Sequence, residues 1–234
     1  GEAANSTNRS VQALLDKLAR ADLDSTELLR TFRTEVGAVL NTTAEHWERI
    51  SGVATTAVNV STLALNGLGQ EELASRISTV LGKIIAFVDN LLHVLRQANA
   101  MIVVLGDVID DELVRQLFRV NETLSSVAEQ ADQFEATMSS DITSFISQAE
   151  SSLGMSNSTA LDPIEQELNQ IVSLIVAVVQ TVVLGVSDAV VLVMTALEND
   201  SGLNISDITF RLRSGAPNPV WSFAVMAGGA ALPA

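Results

Sequence analysis

The sequence predicts an all-α protein. The expected form is an elongated up-and-down bundle of about four long antiparallel helices, with a short N-terminal helix and a C-terminal extended or β-hairpin-like tail. Three observations lead there. Apolar residues make up 47% of the chain while aromatics make up only 4% and tyrosine is absent, so the apolar load is Ala, Val, Leu and Ile. Those residues recur at helical spacing. The breaks between periodic segments are short and leave four stretches of similar length. Segments of roughly 40 residues would each be about 55–65 Å long, and matched lengths with short connections are the signature of such a bundle.

Residues 1–8 read as a disordered leader, 9–203 as the bundle and 204–234 as the apolar tail. Val11, Leu14, Leu15 and Leu18 form a short amphipathic stripe. Asp24 with Glu27 is a capping pair that opens the first long helix. Its apolar face carries Leu28, Leu29, Phe32, Val36, Val39, Leu40, Trp47 and Ile50. The helix either continues through Val58 and Leu65 to the break at Gly67-Leu68-Gly69 or kinks near Gly52. The second long helix opens at Gln70-Glu71-Glu72, where the acids complement the positive end of the helix dipole. It runs through Ile77, Val80, Ile84, Val88, Leu91 and Leu95 to Leu105. Gly106-Asp107 breaks it, and Asp107 is the expected cap of the third, about 108–153. A loop over 154–160 follows. Asp162-Pro163-Ile164-Glu165 starts the fourth helix with a cap, a proline in the first turn and an acid. That helix ends near Glu198, before Asn199-Asp200-Ser201-Gly202.

The fourth long helix is apolar over most of its circumference between Ile171 and Leu197. Its polar residues Gln166, Ser173, Gln180 and Ser187 fall on one line at seven-residue spacing. A surface helix should be polar over more than half its circumference. The reading favoured here is a central helix wrapped by the others. A membrane span is disfavoured, because Gln180, Ser187 and Asp188 interrupt it and no basic flank follows within ten residues. The remaining reading is an outer face that packs on a second copy or on a lipid-like ligand.

The tail changes period. Ile208-Thr-Phe210-Arg-Leu212-Arg alternates like a strand, Ser214–Pro219 is a turn, and Val220–Met226 is a second apolar run. Trp221, Phe223, Val225 and Met226 need a cover, since an isolated hairpin is marginal in water. They are the candidate self-association residues. A GPI-type signal fits poorly because the spacer after Ala216 is too short.

Eight of thirteen asparagines stand in the sequon Asn-X-Ser/Thr: Asn5, Asn8, Asn41, Asn59, Asn121, Asn157, Asn199 and Asn204. Ser and Thr make up 40 of 234 residues, so chance would supply roughly two sequons. The excess predicts an N-glycosylated, extracellular, secreted protein, with every glycan-bearing Asn turned away from the core. The opening Gly1-Glu2-Ala3-Ala4 is the N-terminus expected after signal-peptide removal. Cysteine is absent, which excludes thiol catalysis, Cys-ligated zinc and disulfides; a chain of 234 residues can bury a core without them.

The net charge is −15, with two lysines against eleven arginines. Such a surface repels phosphates, so nucleic acid is excluded as a partner. His46 and His93 are the only histidines and lie on different segments. The acids Asp107, Asp110, Asp111 and Glu112 lack the alternation and central glycine of a calcium loop. No phosphate-binding glycine loop or nucleophile elbow occurs. No cofactor and no metal site are expected. The sequence points to a non-enzymatic structural or self-assembling homo-oligomer, with the apolar helix and the tail as subunit contacts. The alternative is a carrier or surfactant for lipids or other apolar molecules.

Overall fold

The computed structural model describes residues 2–19, 24–67, 69–154 and 161–202. The protein is all-α, and among the described residues there is no strand. The helices are α1 (Glu2–Ala19), α2 (Ser25–Gly67), α3 (Glu71–Val103), α4 (Asp111–Ser152) and α5 (Asp162–Ser201). Residues 208–226, with their expected strands, lie outside the described residues.

Local chemistry accounts for the helix ends. The Glu27 amide donates to Asp24 Oδ1 at 2.8 Å, capping α2. The Glu27 side chain is occupied by Arg30, one turn on. α2 passes Gly52 as continuous helix and ends at Gly67. There Gly69 adopts φ 73°, and the amides of Gln70 and Gly69 donate to the carbonyls of Leu65 and Asn66. This is the Schellman pattern, which satisfies carbonyls that the helix end leaves bare.

Two expectations change. Residues 2–8, expected as a leader, are the opening turns of α1. Once Val11, Leu14 and Leu18 are docked, each upstream residue extends an existing hydrogen-bond ladder, which is far easier than nucleating one. The cap of α4 is Asp110, whose Oδ1 accepts from the Leu113 amide at 3.0 Å. Asp107 pairs instead with Arg33.

The chain divides into two compact units that share four of the helices. The first comprises α1, the first part of α2 to Thr43, α3 from Val94, α4 to Ala128 and α5 from Val178. Phe32, Val36 and Leu40 of α2 meet a core that includes Leu117 and Val120 of α4 and Val186, Val190 and Val193 of α5, all fully buried. Ser25 Oγ donates to Asp200 Oδ2 at 2.7 Å, tying the start of α2 to the end of α5. An Arg33 Nη donates to the Gly106 carbonyl at 2.9 Å, which fastens the α3–α4 turn to α2.

In this unit α5 is buried nearly all round; Leu184, Asp188, Leu192 and Thr195 are its exposed positions between Val178 and Leu197. α1 supplies the extra cover. Gly185 of α5 lies so close to Val11 of α1 that a Cβ there would stand 2.1 Å from Val11 Cγ1.

The second unit comprises α2 from Ala44, α3 to His93, α4 from Glu129 and α5 to Ala177. Its core holds Trp47, Ile84, Val88, Met138, Ile142 and Val172. Phe87 and Phe134 stack with centroids 4.0 Å apart and planes 6° from parallel. Polar pairs run down its seams. Arg76 meets Gln148, Lys83 meets Asp141 at 2.6 Å, and Asn90 meets Gln130 at 3.0 Å, so partners on α4 descend as α3 ascends. Between α4 and α5, Glu135 accepts from Ser173 and Glu165 accepts from Thr143, both at 2.7 Å.

Candidate functional site: sequons and exposed apolar faces

Five sequon asparagines lie on exposed helix surface: Asn5 and Asn8 on α1, Asn41 and Asn59 on α2, and Asn199 on α5. Asn157 and Asn204 lie outside the described residues. Asn121 corrects the expectation that every sequon faces outward. It is 1% exposed, within the core of the first unit, and neither its Nδ2 nor its Oδ1 has a hydrogen-bond partner. Position 121 follows Leu117 by four residues and precedes Leu124 by three, which puts it on the core-facing side of α4. A glycan of many hydroxyls has no room or polar partners there.

The polar line of α5 has a changing environment. Gln166 and Ser173 are exposed in the second unit, whereas Ser187 is buried in the first. One helical stripe is therefore wet in one unit and dry in the other. The extra helix α1 belongs to the unit in which it is dry.

The candidate self-association residues Trp221, Phe223, Val225 and Met226 lie outside the described residues. Among the described residues, exposed apolar side chains occur in both units. In the second unit they are Val53, Val60 and Leu63 of α2, Leu153 just after α4, and Ile164 and Ile171 of α5. In the first they are Val103, Val104 and Val108 around the α3–α4 turn, with Leu184 and Leu192 of α5. α3 and α5 are both long and apolar enough to cross a membrane, a test that core helices also pass. Over its most apolar window α5 is 56% buried within the protein, which fits a core helix; the corresponding figure for α3 is 28%.

Among the described residues, chemistry-bearing side chains do not converge. Among the described residues no three of His, Asp and Glu group together as metal ligands. His46 stands edge-on to Trp47, and His93 is exposed on α3. Asp110, Asp111 and Glu112 line an open depression at the start of α4, where Asp110 is engaged in capping. A second open groove, between α1 and α5, is lined by Leu15, Asp16, Asp188, Val191 and Leu192. It could seat an apolar group only with carboxylates beside it. The Arg30 guanidinium is pushed up from its ordinary value by its hydrogen bond to Glu27, so it stays cationic.

No protein-family model matches the chain, and neither a curated protein nor a solved structure is significantly similar to it.

Proposed function

We propose that this chain is a secreted, N-glycosylated structural protein without enzymatic activity, which assembles with copies of itself. The observation that carries the reading is the placement of its sequons. Five of the six among the described residues are on exposed helix surface, where an oligosaccharide can stand in water. The finer architecture proposed is an up-and-down antiparallel bundle of four long helices, with α1 added against α5. The descending pairs Arg76–Gln148, Lys83–Asp141 and Asn90–Gln130 support it. Subunit contacts are assigned to the exposed apolar positions of α5, such as Ile164 and Ile171, and to Trp221, Phe223, Val225 and Met226 of the tail.

The test is secretion from a eukaryotic host followed by glycopeptide mapping and light scattering. Glycans on most of Asn5, Asn8, Asn41, Asn59 and Asn199, on a particle larger than one chain, is the expected result. A bare polypeptide refutes the extracellular part, and a strict monomer refutes the assembly.

The second reading is a carrier or surfactant. The exposed trio Val103, Val104 and Val108 favours it, because apolar surface collected at one turn suits adsorption to an apolar phase. Lowering of air–water surface tension by the purified glycoprotein tests it.

A further inference from the structure

At Asn121 the fold and the sequon compete for one side chain. Asn121-Glu122-Thr123 is an acceptor tripeptide. Yet Asn121 is 1% exposed, and its Nδ2 and Oδ1 both lack hydrogen-bond partners. Nδ2 is the atom to which a glycan would be attached. The five other sequon asparagines among the described residues are exposed, so the fold can carry their glycans unchanged. A glycan on Asn121 cannot coexist with the closed core, because its hydroxyls would be buried without partners.

The order in which the first unit is assembled decides when Asn121 is reachable. The core of that unit draws on α5. Val186, Val190 and Val193 are fully buried in it, as are Leu117, Val120 and Leu124 of α4, the neighbours of Asn121. α5 is the last of the five helices in chain order. Val186 is synthesised about 65 residues after Asn121, which at ~5–20 residues per second is about 3–13 s later. Over that interval the apolar side of α4 has no α5 to pack against, and Asn121 stays accessible. The closed unit is also weakened at this position, since burying an amide without partners opposes folding.

We propose that glycosylation of Asn121 and closure of the first unit are alternative fates of the same chain. Transfer at Asn121 before α5 docks holds the unit open. Docking first seals the acceptor amide inside the core. In the transfer, Nδ2 attacks the anomeric carbon of an oligosaccharide carried on a lipid diphosphate. A carbon–nitrogen bond forms and the bond from that carbon to a phosphate oxygen breaks. The lipid diphosphate leaves, and one amide proton passes to solvent. The inference rests on the proposed secretion, which brings the chain to such a donor.

The experiment is secretion of the full chain from a eukaryotic host. Compact and expanded protein are separated by size exclusion, and glycan occupancy is mapped at Asn121 and Asn59. Compact protein should carry at least tenfold less glycan at Asn121 than at Asn59. Val186→Asp with Val190→Asp bars α5 from the core, and should raise occupancy at Asn121 to within twofold of Asn59. Thr123→Val removes the sequon but keeps Asn121, and should return expanded, Asn121-glycosylated chains to compact form. Compact, cooperatively melting protein glycosylated at Asn121 overturns the inference. So does a docking-defective chain that stays bare at Asn121 while Asn59 is occupied, or an Asn121-glycosylated expanded fraction that Thr123→Val leaves expanded. A chain bare at every sequon refutes the secretion reading, and this inference with it. Occupancy at Asn59 therefore keeps the two failures apart.

Discussion

Gly185 of α5 and Val11 of α1 stand in closer approach than any side chain at position 185 would allow. A Cβ added at Gly185 would lie 2.1 Å from one Val11 methyl and 3.2 Å from both Val11 Cβ and the other methyl. Val11 is buried by this approach, and so is the adjoining surface of α5. Gly185→Ala should therefore push α1 outward and destabilise the protein by about 1–3 kcal/mol. Urea denaturation measures the loss. Hydrogen exchange should show it concentrated in α1, and adding Val11→Ala should recover part of it.

Asn121 is the second test of the core. In the folded protein its two amide atoms are buried without partners. Asn121→Leu, close in size and without those polar atoms, should be neutral or stabilising by about 1 kcal/mol. Asn121→Asp places a carboxyl in the same apolar setting, where burial raises its pKa above the unfolded value of about 3.9. A raised folded pKa means that the variant's stability is retained below the unfolded pKa. It is then lost as pH rises through the folded pKa. Thermal melts from acid to neutral pH should show this fall for Asn121→Asp and none for Asn59→Asp, whose carboxylate would be solvated.

Two glycines should respond with opposite signs. Gly69 holds φ 73° in the turn that ends α2, so Gly69→Ala should destabilise by about 1–2 kcal/mol despite the open space around it. Gly82 lies inside α3 with nothing within 4 Å of an added Cβ. Gly82→Ala should stabilise by about 0.5–1 kcal/mol, because alanine loses less backbone freedom in a helix. Thermal denaturation of the two variants side by side decides both.

The stacked rings of Phe87 and Phe134 join α3 to α4 in the second unit. A double-mutant cycle with Phe87→Leu and Phe134→Leu should give a coupling of about 0.5–1.5 kcal/mol. Additive effects would mean that the rings contribute only their buried area.

Much of the fold was legible because its signals are local. The caps and breaks at Asp24, Gly69 and Gly154, and the apolar period through Phe32, Val88, Leu117 and Val186, depend on neighbours within a few residues along the chain. The structure moved the cap of α4 from Asp107 to Asp110 because Asp107 has a partner on α2, distant in sequence. The sequons were legible as a pattern, but a tripeptide carries no information about which side of a helix its Asn occupies. The burial of Asn121 could have been read from its spacing to Leu117 and Leu124. The exposed face of α2 could not, since apolar spacing looks the same whether a face is covered or bare.

The sequence by itself determined five helices, most of their ends, the apolar surplus of α5 and an acidic surface without cysteine chemistry. These follow from backbone hydrogen bonding, helix periodicity and composition, which act over a turn or two or over the whole chain. Only the tertiary structure decided what the surplus of α5 is for. In one unit α1 lies against it at Gly185, and Ser187 is buried with the valines; in the other, Ile164 and Ile171 remain exposed. The amphipathic stripe of α1 fits any apolar face of suitable width. The choice was made by shape, where a missing Cβ lets one backbone come within reach of a valine.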